Sequence, residues 1–184
     1  MIFLQFALIG LLIGLLIGSV GVGGILLAPL LAYLTGMNLH LAIATSVWSF
    51  LFTGITGTLS YARKGTISWR MVGWISLGII PGTILGARTN LALSITILTV
   101  LLASLIILSG LNTLYKRPVT ANKKTELTNY WLILIGLAVG FGSALIGAGG
   151  AVFLVPTFLF LNIPPLVAIG VSQAVQLPVA IFGS

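Results

Sequence analysis

A chain of 184 residues that is 59% hydrophobic and 5% charged, with a mean hydropathy of +1.25, cannot dress the surface of a soluble domain, which uses about a quarter of its residues as charges. The composition excludes a soluble enzyme, a disordered segment and a coiled coil, and leaves an all-α polytopic membrane protein. The formal charge of +7 does not point to nucleic acid, because the basic residues are scattered over short gaps, as the cytoplasmic preference of Lys and Arg requires.

The chain opens on Ile2 to Val20, which lacks the basic start and small-residue cleavage site of a secretory signal and reads as a retained first span. It continues through Gly21-Val22-Gly23-Gly24 into Ile25 to Leu34, a stretch too short to cross alone. A straight helix over Ile2 to Leu34 would reach about 48 Å against a hydrocarbon core of about 30 Å, so one span with a broken or re-entrant extension is expected. The break is placed at Gly21–Gly24 and at Pro29.

A second span runs from about Leu39 to Tyr61 and ends on Arg63 and Lys64. A third runs from Met71 to Ala87 between Arg70 and Arg88, and a fourth from about Leu91 to Leu114. The polar stretch Tyr115 to Asn129 follows as the one convincing extramembrane connector. A fifth, again overlong segment covers Tyr130 to Leu161, interrupted by Gly147-Ala148-Gly149-Gly150 and Pro156. A sixth starts near Leu166 and runs to Ser184.

The Arg63 to Arg70 gap and the connector are two spans apart, so they share a side, and they hold every basic residue but Arg88. The positive-inside rule makes that side cytoplasmic, with the N-terminus cytoplasmic if Ile2 to Leu34 crosses once. Asn38, His40 and Arg88 then lie at the outer face as interfacial residues.

Gly21–Gly24 overlays Gly147–Gly150 at an offset of 126, and Ala42-Ile43-Ala44-Thr45-Ser46 overlays Ala168-Ile169-Gly170-Val171-Ser172 at the same offset. One inserted residue brings Pro29 onto Pro156. This pattern indicates a duplication: residues 1–114 are a first membrane repeat, 115–129 a cytoplasmic connector and 130–184 the start of a second repeat, cut short. Four spans per unit is an even number, so both repeats are expected to enter the bilayer in the same orientation. On that frame the chain reads as a fragment of a longer chain of about 245 residues, lacking its last two spans, or as a natural truncation that takes its missing wall from another subunit.

Adjacent glycines followed by a proline leave backbone N–H and C=O groups unpaired at membrane depth, where only protein, water or a solute satisfies them. A helix restarting after such a turn aims its free N–H groups and positive dipole end at the gap. Two turns converging on one site suit a small anion, and no predicted span carries an Asp or Glu that would coordinate a cation. Hydroxyl and amide groups are plentiful nearby: Ser19, Thr45, Ser46, Ser49, Thr53 and Thr56 by the first turn, and Ser143, Ser172, Gln173 and Gln176 by the second. The candidate substrate-binding residues are Gly21, Gly23, Gly24, Ser46, Gly147, Gly149, Gly150, Ser172 and Gln173, with Pro29 and Pro156 as structural breaks. The runs Gly10/Gly14/Gly18 and Gly78/Gly82/Gly86 read instead as packing faces, where alanine at Gly82 is expected to cost little.

With no cysteine, one histidine and one acidic residue, there is no material for a disulfide, a protein-built metal site, a catalytic triad or a carboxylate pair. No cofactor and no enzyme activity are expected. The expected partners are a small anionic solute, the lipid bilayer and further copies of the chain in a homo-oligomer.

The segments Gly18 to Leu31 and Gly142 to Leu159, each closing an overlong span and each followed by Ala-Ile and a serine, resemble the TauE/SafE family of sulfite exporters over the whole chain. The resemblance implies a permease that moves sulfite, a sulfonate or an organic carboxylate. It carries the family's glycine-rich elements onto Gly21, Gly23, Gly24 and Pro29, and onto Gly147, Gly149, Gly150 and Pro156. The alternative is a channel-like or scaffold membrane protein with no solute transport cycle, in which the glycine turns serve packing alone.

Overall fold

The computed structural model describes residues 14, 24–101, 103, 104, 107 and 127–183. These form helices α1 (Gly24–Thr35), α2 (Leu39–Arg63), α3 (Trp69–Ala92), α4 (Asn129–Ile146), α5 (Gly150–Phe160) and α6 (Pro165–Phe182). A further helical stretch covers 95–101, and no described residue is in a strand. Helix is what an apolar chain must adopt where no water can satisfy its backbone. Helices α2, α3, α4 and α6 are long and apolar enough to cross a membrane, whereas α1 and α5 have 12 and 11 residues and reach only part of the way. Arg70 and Arg88, expected just outside the third span, lie inside α3, Arg70 in its first turn and Arg88 one turn short of its end, where long side chains can snorkel.

Helix ends follow local chemistry. Asn38 accepts the backbone N–H of His40 at 3.1 Å and starts α2. Arg63 in the last turn of α2 suits the negative end of its dipole. Pro165 opens α6 at a position where its missing N–H costs nothing. The two prolines expected to break helices do not: α1 continues through Pro29 and α5 through Pro156. A proline removes one ladder bond, whereas the glycines ahead of α5 turn the whole backbone, so the second break lies at Gly147–Gly149 alone. The part of the first break ahead of Gly24 lies outside the described residues.

The α3–α4 pair is a glycine seam. A Cβ on Gly78 would strike Ile133, one on Gly82 would strike Leu137, and one on Gly86 would strike Phe141, in each case at the backbone carbonyl. Gly136 and Gly140 meet the carbonyls of Ile75 and Ile79 in return. The pairings rise together along both helices, so α3 and α4 run parallel, with Arg70 Nη2 donating to Asn129 Oδ1 at 3.0 Å where both begin. Small residues let the two backbones touch where apolar side chains would gain nothing over lipid.

Helices α2 and α6 run antiparallel. Gly54 faces Gln176 and Leu177, Gly57 faces Gln173, and Gly170 faces Tyr61, Thr66 and Ile67. Helix α6 therefore starts at the end of the bundle that holds the 64–68 turn, which is also where α4 starts. The overlong α4–α5 segment makes no net crossing: α4 leaves that end and α5 returns toward it. This corrects the expectation of two same-orientation repeats, because α2 and α6, whose Ala-Ile and Ser motifs correspond, point in opposite directions. The all-helical, multi-span class stands.

Impermeant thiol labelling tests the hairpin on this cysteine-free chain. Lys64→Cys and Pro164→Cys are expected to label from one side of the membrane and Thr35→Cys from the other. A single crossing by α4 and α5 would instead put Pro164 opposite Lys64.

Candidate functional site

The site is built where α4 gives way to α5. Gly147 ends α4 in the left-handed region, with φ 65° and ψ 27°, and its N–H bonds Ser143 O at 2.8 Å. Gly149 then takes φ 73° and ψ 146°, a region effectively reserved for glycine. Neither position has room for a side chain, since Cβ atoms there would lie 3.1 Å from Ile43 Cγ2 and 3.1 Å from Phe50 Cζ. Phe50 is about 16 Å along α2 from Leu39 at 1.5 Å per residue, so the turn carries the chain down to the middle of the bundle before α5 begins.

Helix α5 consequently starts buried. Its N-cap, Gly149, has no side chain to offer, and its first turn tightens into a bond from Val152 N–H to Gly149 O at 3.3 Å. Gly150 and Ala151 are buried, and no described residue accepts from their N–H groups. Ser143 Oγ, on a fully buried residue, also has no hydrogen-bond partner. Ser143 is one helical turn from Val139, whose Cγ1 lies 3.7 Å from the Cβ position of Gly150, so the hydroxyl belongs to the α4 face that looks toward the start of α5. Orphaned buried donors in a native structure call for a ligand or water, and three donors beside a helix N-terminus suit an electron-rich group.

Of the residues proposed from sequence, Gly147, Gly149 and Gly150 come together here. Gly21 and Gly23 lie outside the described residues. Gly24 opens α1, and Ala28 one turn later packs in one apolar cluster with Ile43, Ala148 and Val152, so α1 reaches the same turn. Ser46 Oγ donates to Ala42 O at 2.8 Å and Ser172 Oγ to Ile169 O at 2.8 Å, which engages each hydroxyl proton within its own helix. Gln173 is buried in the α2–α6 seam, where a Cβ on Gly57 would lie 2.6 Å from its Oε1. Gln176 accepts from Thr53 Oγ1 at 3.2 Å in the same seam. Asn90 was not singled out from sequence. It is 5% exposed and donates from Nδ2 to Leu145 O at 2.7 Å, and its only sequence signal is an amide in the last turn of a span.

Comparison with known proteins places this arrangement. The sulfite exporter TauE/SafE family model matches residues 6–184. The probable membrane transporter protein YdhB of Bacillus subtilis is 28% identical over 180 residues, covering 94% of this chain and 73% of that protein. A probable membrane transporter protein of Xylella fastidiosa strain Temecula1 is 33% identical over 172 residues, covering 88% of this chain and 64% of its own length. One from Haemophilus influenzae is 30% identical over 181 residues, covering 90% and 66% respectively. No solved structure matches the chain. A match over nearly the whole chain, on a bundle of membrane-length helices, shows that the chain belongs to the sulfite exporter TauE/SafE family of membrane transporters.

Proposed function

We propose that the chain is part of a permease for a small anion such as sulfite, a sulfonate or an organic carboxylate, which it binds at the start of α5. The observation that carries this reading is the buried, uncapped helix start, where among the described residues nothing accepts from the N–H groups of Gly150 and Ala151 and the Ser143 hydroxyl beside them has no partner. Three donors and a positive dipole end are matched by negative charge, and the chain's one acidic residue, Glu126, belongs to the polar connector. The family's printed name, sulfite exporter, agrees with that chemistry. Gly24, at the start of α1, is the matching position in the other half. Gln173, Gln176 and Thr53 make the α2–α6 seam polar along the solute's way.

In this reading the end that carries Arg63, Lys64 and Arg70 faces the cytoplasm of a bacterial inner membrane, and the end that carries His40 and Asn90 faces out. The antiparallel run of α2 and α6 supports two halves inverted with respect to each other. Flux from proteoliposomes that contain the intact protein tests the function. Saturable efflux of sulfite or methanesulfonate is expected, unchanged when sodium is replaced by choline. Saturable movement of a cation or a neutral solute, with no anion flux, would contradict it.

A further inference from the structure

A polar chain at the end of the bundle opposite the 64–68 turn has no part in the α5 start. Leu145 is in the last turn of α4, where carbonyls lack a helical partner, and its oxygen accepts Asn90 Nδ2 at 2.7 Å. A carbonyl only accepts, so the amide nitrogen of Asn90 must face it and Oδ1 must face away. His40 Nδ1 lies 2.9 Å from that Oδ1. Two acceptors cannot share this contact, so Nδ1 carries the proton of the neutral ring, and Nε2 is left to take a second one. The ring borders a cavity of about 120 Å³ whose walls include Asn90, Ile43, Ala144 and Gly183. Ile43 also touches the Gly147 turn, and Ala144 packs against Gly86 and Gly183.

We propose that this cavity is a vestibule for a small anion, with His40 as its proton-binding residue and Asn90 as the residue that positions the ring. Protonation at Nε2 adds a positive charge and an N–H donor at the cavity wall, so the anion and one proton enter together; the proposal rests on the anion reading above. The other charged or titratable groups near this end are Arg88, exposed two residues from Asn90 on α3, and Tyr33, exposed on α1. Helices α4 and α6 carry none there, and no described residue is acidic. Arg88 adds a permanent charge of the right sign for an anion. No described carboxylate competes for the proton or the imidazolium.

The test uses the full-length protein labelled with nitrogen-15 histidine, the His40 signals being assigned by comparison with His40→Gln, and methanesulfonate as the probe, an anion that does not itself titrate near neutrality. The neutral ring is expected as the Nδ1–H tautomer. Methanesulfonate affinity is expected to be about tenfold or more weaker at high pH than at low pH, as the charged contact is lost, and to be flat with pH in His40→Gln. Asn90→Leu should release the ring to the Nε2–H tautomer and weaken the pH dependence. Binding that is independent of pH in the native protein, or a pH dependence that survives His40→Gln, would overturn the role of His40 and leave the α5 site standing. Absence of methanesulfonate binding at every pH would overturn both. Should His40→Gln fail to fold, the native protein still decides: the nitrogen-15 signals of the His40 ring must change when methanesulfonate is added, and unchanged signals overturn the proposal.

Discussion

Alanine at Gly82 is expected to lower the thermal unfolding midpoint of the purified protein by roughly 6–12 °C, equivalent to about 3 kcal/mol of overpacking in a chain of this size. The added methyl would enter the backbone carbonyl of Leu137 on α4, and a carbonyl in a helix cannot rotate away as a side-chain tip can. The two helices must separate, which also strips the Gly78, Gly86, Gly136 and Gly140 contacts along the same seam. The sequence assigns this face to packing, with little cost to transport expected from alanine at Gly82, and the packing contact is there. The cost to stability is large because the neighbour is backbone and the approach is closer than any Cβ permits. Gly73→Ala on the same helix is the control. Nothing lies within 4 Å of its Cβ position, so alanine there should raise stability by up to about 1 kcal/mol through helix propensity.

Proline at Gly150 is expected to weaken anion binding by about tenfold or more and to leave the fold nearly intact. Gly150 is the first residue of α5, the position where a helix accepts proline because its N–H has no helical partner. The preceding residue, Gly149, has ψ 146°, within the range that a following proline demands. A Cβ at Gly150 would meet Val175, Val139 and Val179 at 3.6, 3.7 and 3.9 Å, ordinary contact distances. What proline removes is one backbone donor. A hydrogen bond to a charged group contributes about 1.5–3 kcal/mol, which sets the expected loss of affinity at about 10- to 150-fold. Gly150→Ala keeps the donor and adds the Cβ alone, one of the three ring carbons that proline brings, so it should bind as the native protein does.

The spans were legible because charge and hydropathy alternate cleanly: α2 ends on Arg63 as expected, and α4 stops at the first glycine of its Gly-Ala-Gly-Gly run. Their direction was not legible. Whether an overlong apolar segment crosses once or folds back depends on contacts made far away in the chain, here Gly147 on Ile43 and Gly149 on Phe50, and no local pattern records them. Pro29 and Pro156 misled for a related reason, since a proline followed by apolar, well-packed residues bends a helix without ending it. The glycines of the second turn were identifiable as a pair because only they tolerate the φ values the turn requires.

Individual hydroxyls were harder to rank. Ser46 and Ser172 stood out by their matching positions in the two motifs, yet both donate to their own helices, and Ser143, one of several nearby hydroxyls, is the one left unpartnered. Its freedom comes from the surroundings that α4 and α5 create together. Asn90 is similar, because its meaning lies in a carbonyl 55 residues away at the end of another helix. Such side chains acquire a role from tertiary position, which periodicity and composition do not encode.

The central claim is that the start of α5 holds an anion through its backbone. Equilibrium titration of methanesulfonate into the intact native protein, Gly150→Ala and Gly150→Pro, with thermal unfolding recorded on the same samples, tests it most directly. Three proteins of closely similar stability are expected, with affinity equal in the first two and reduced about tenfold or more in the third. Equal affinity in all three, with Gly150→Pro folded, would show that the anion does not bind at this helix start.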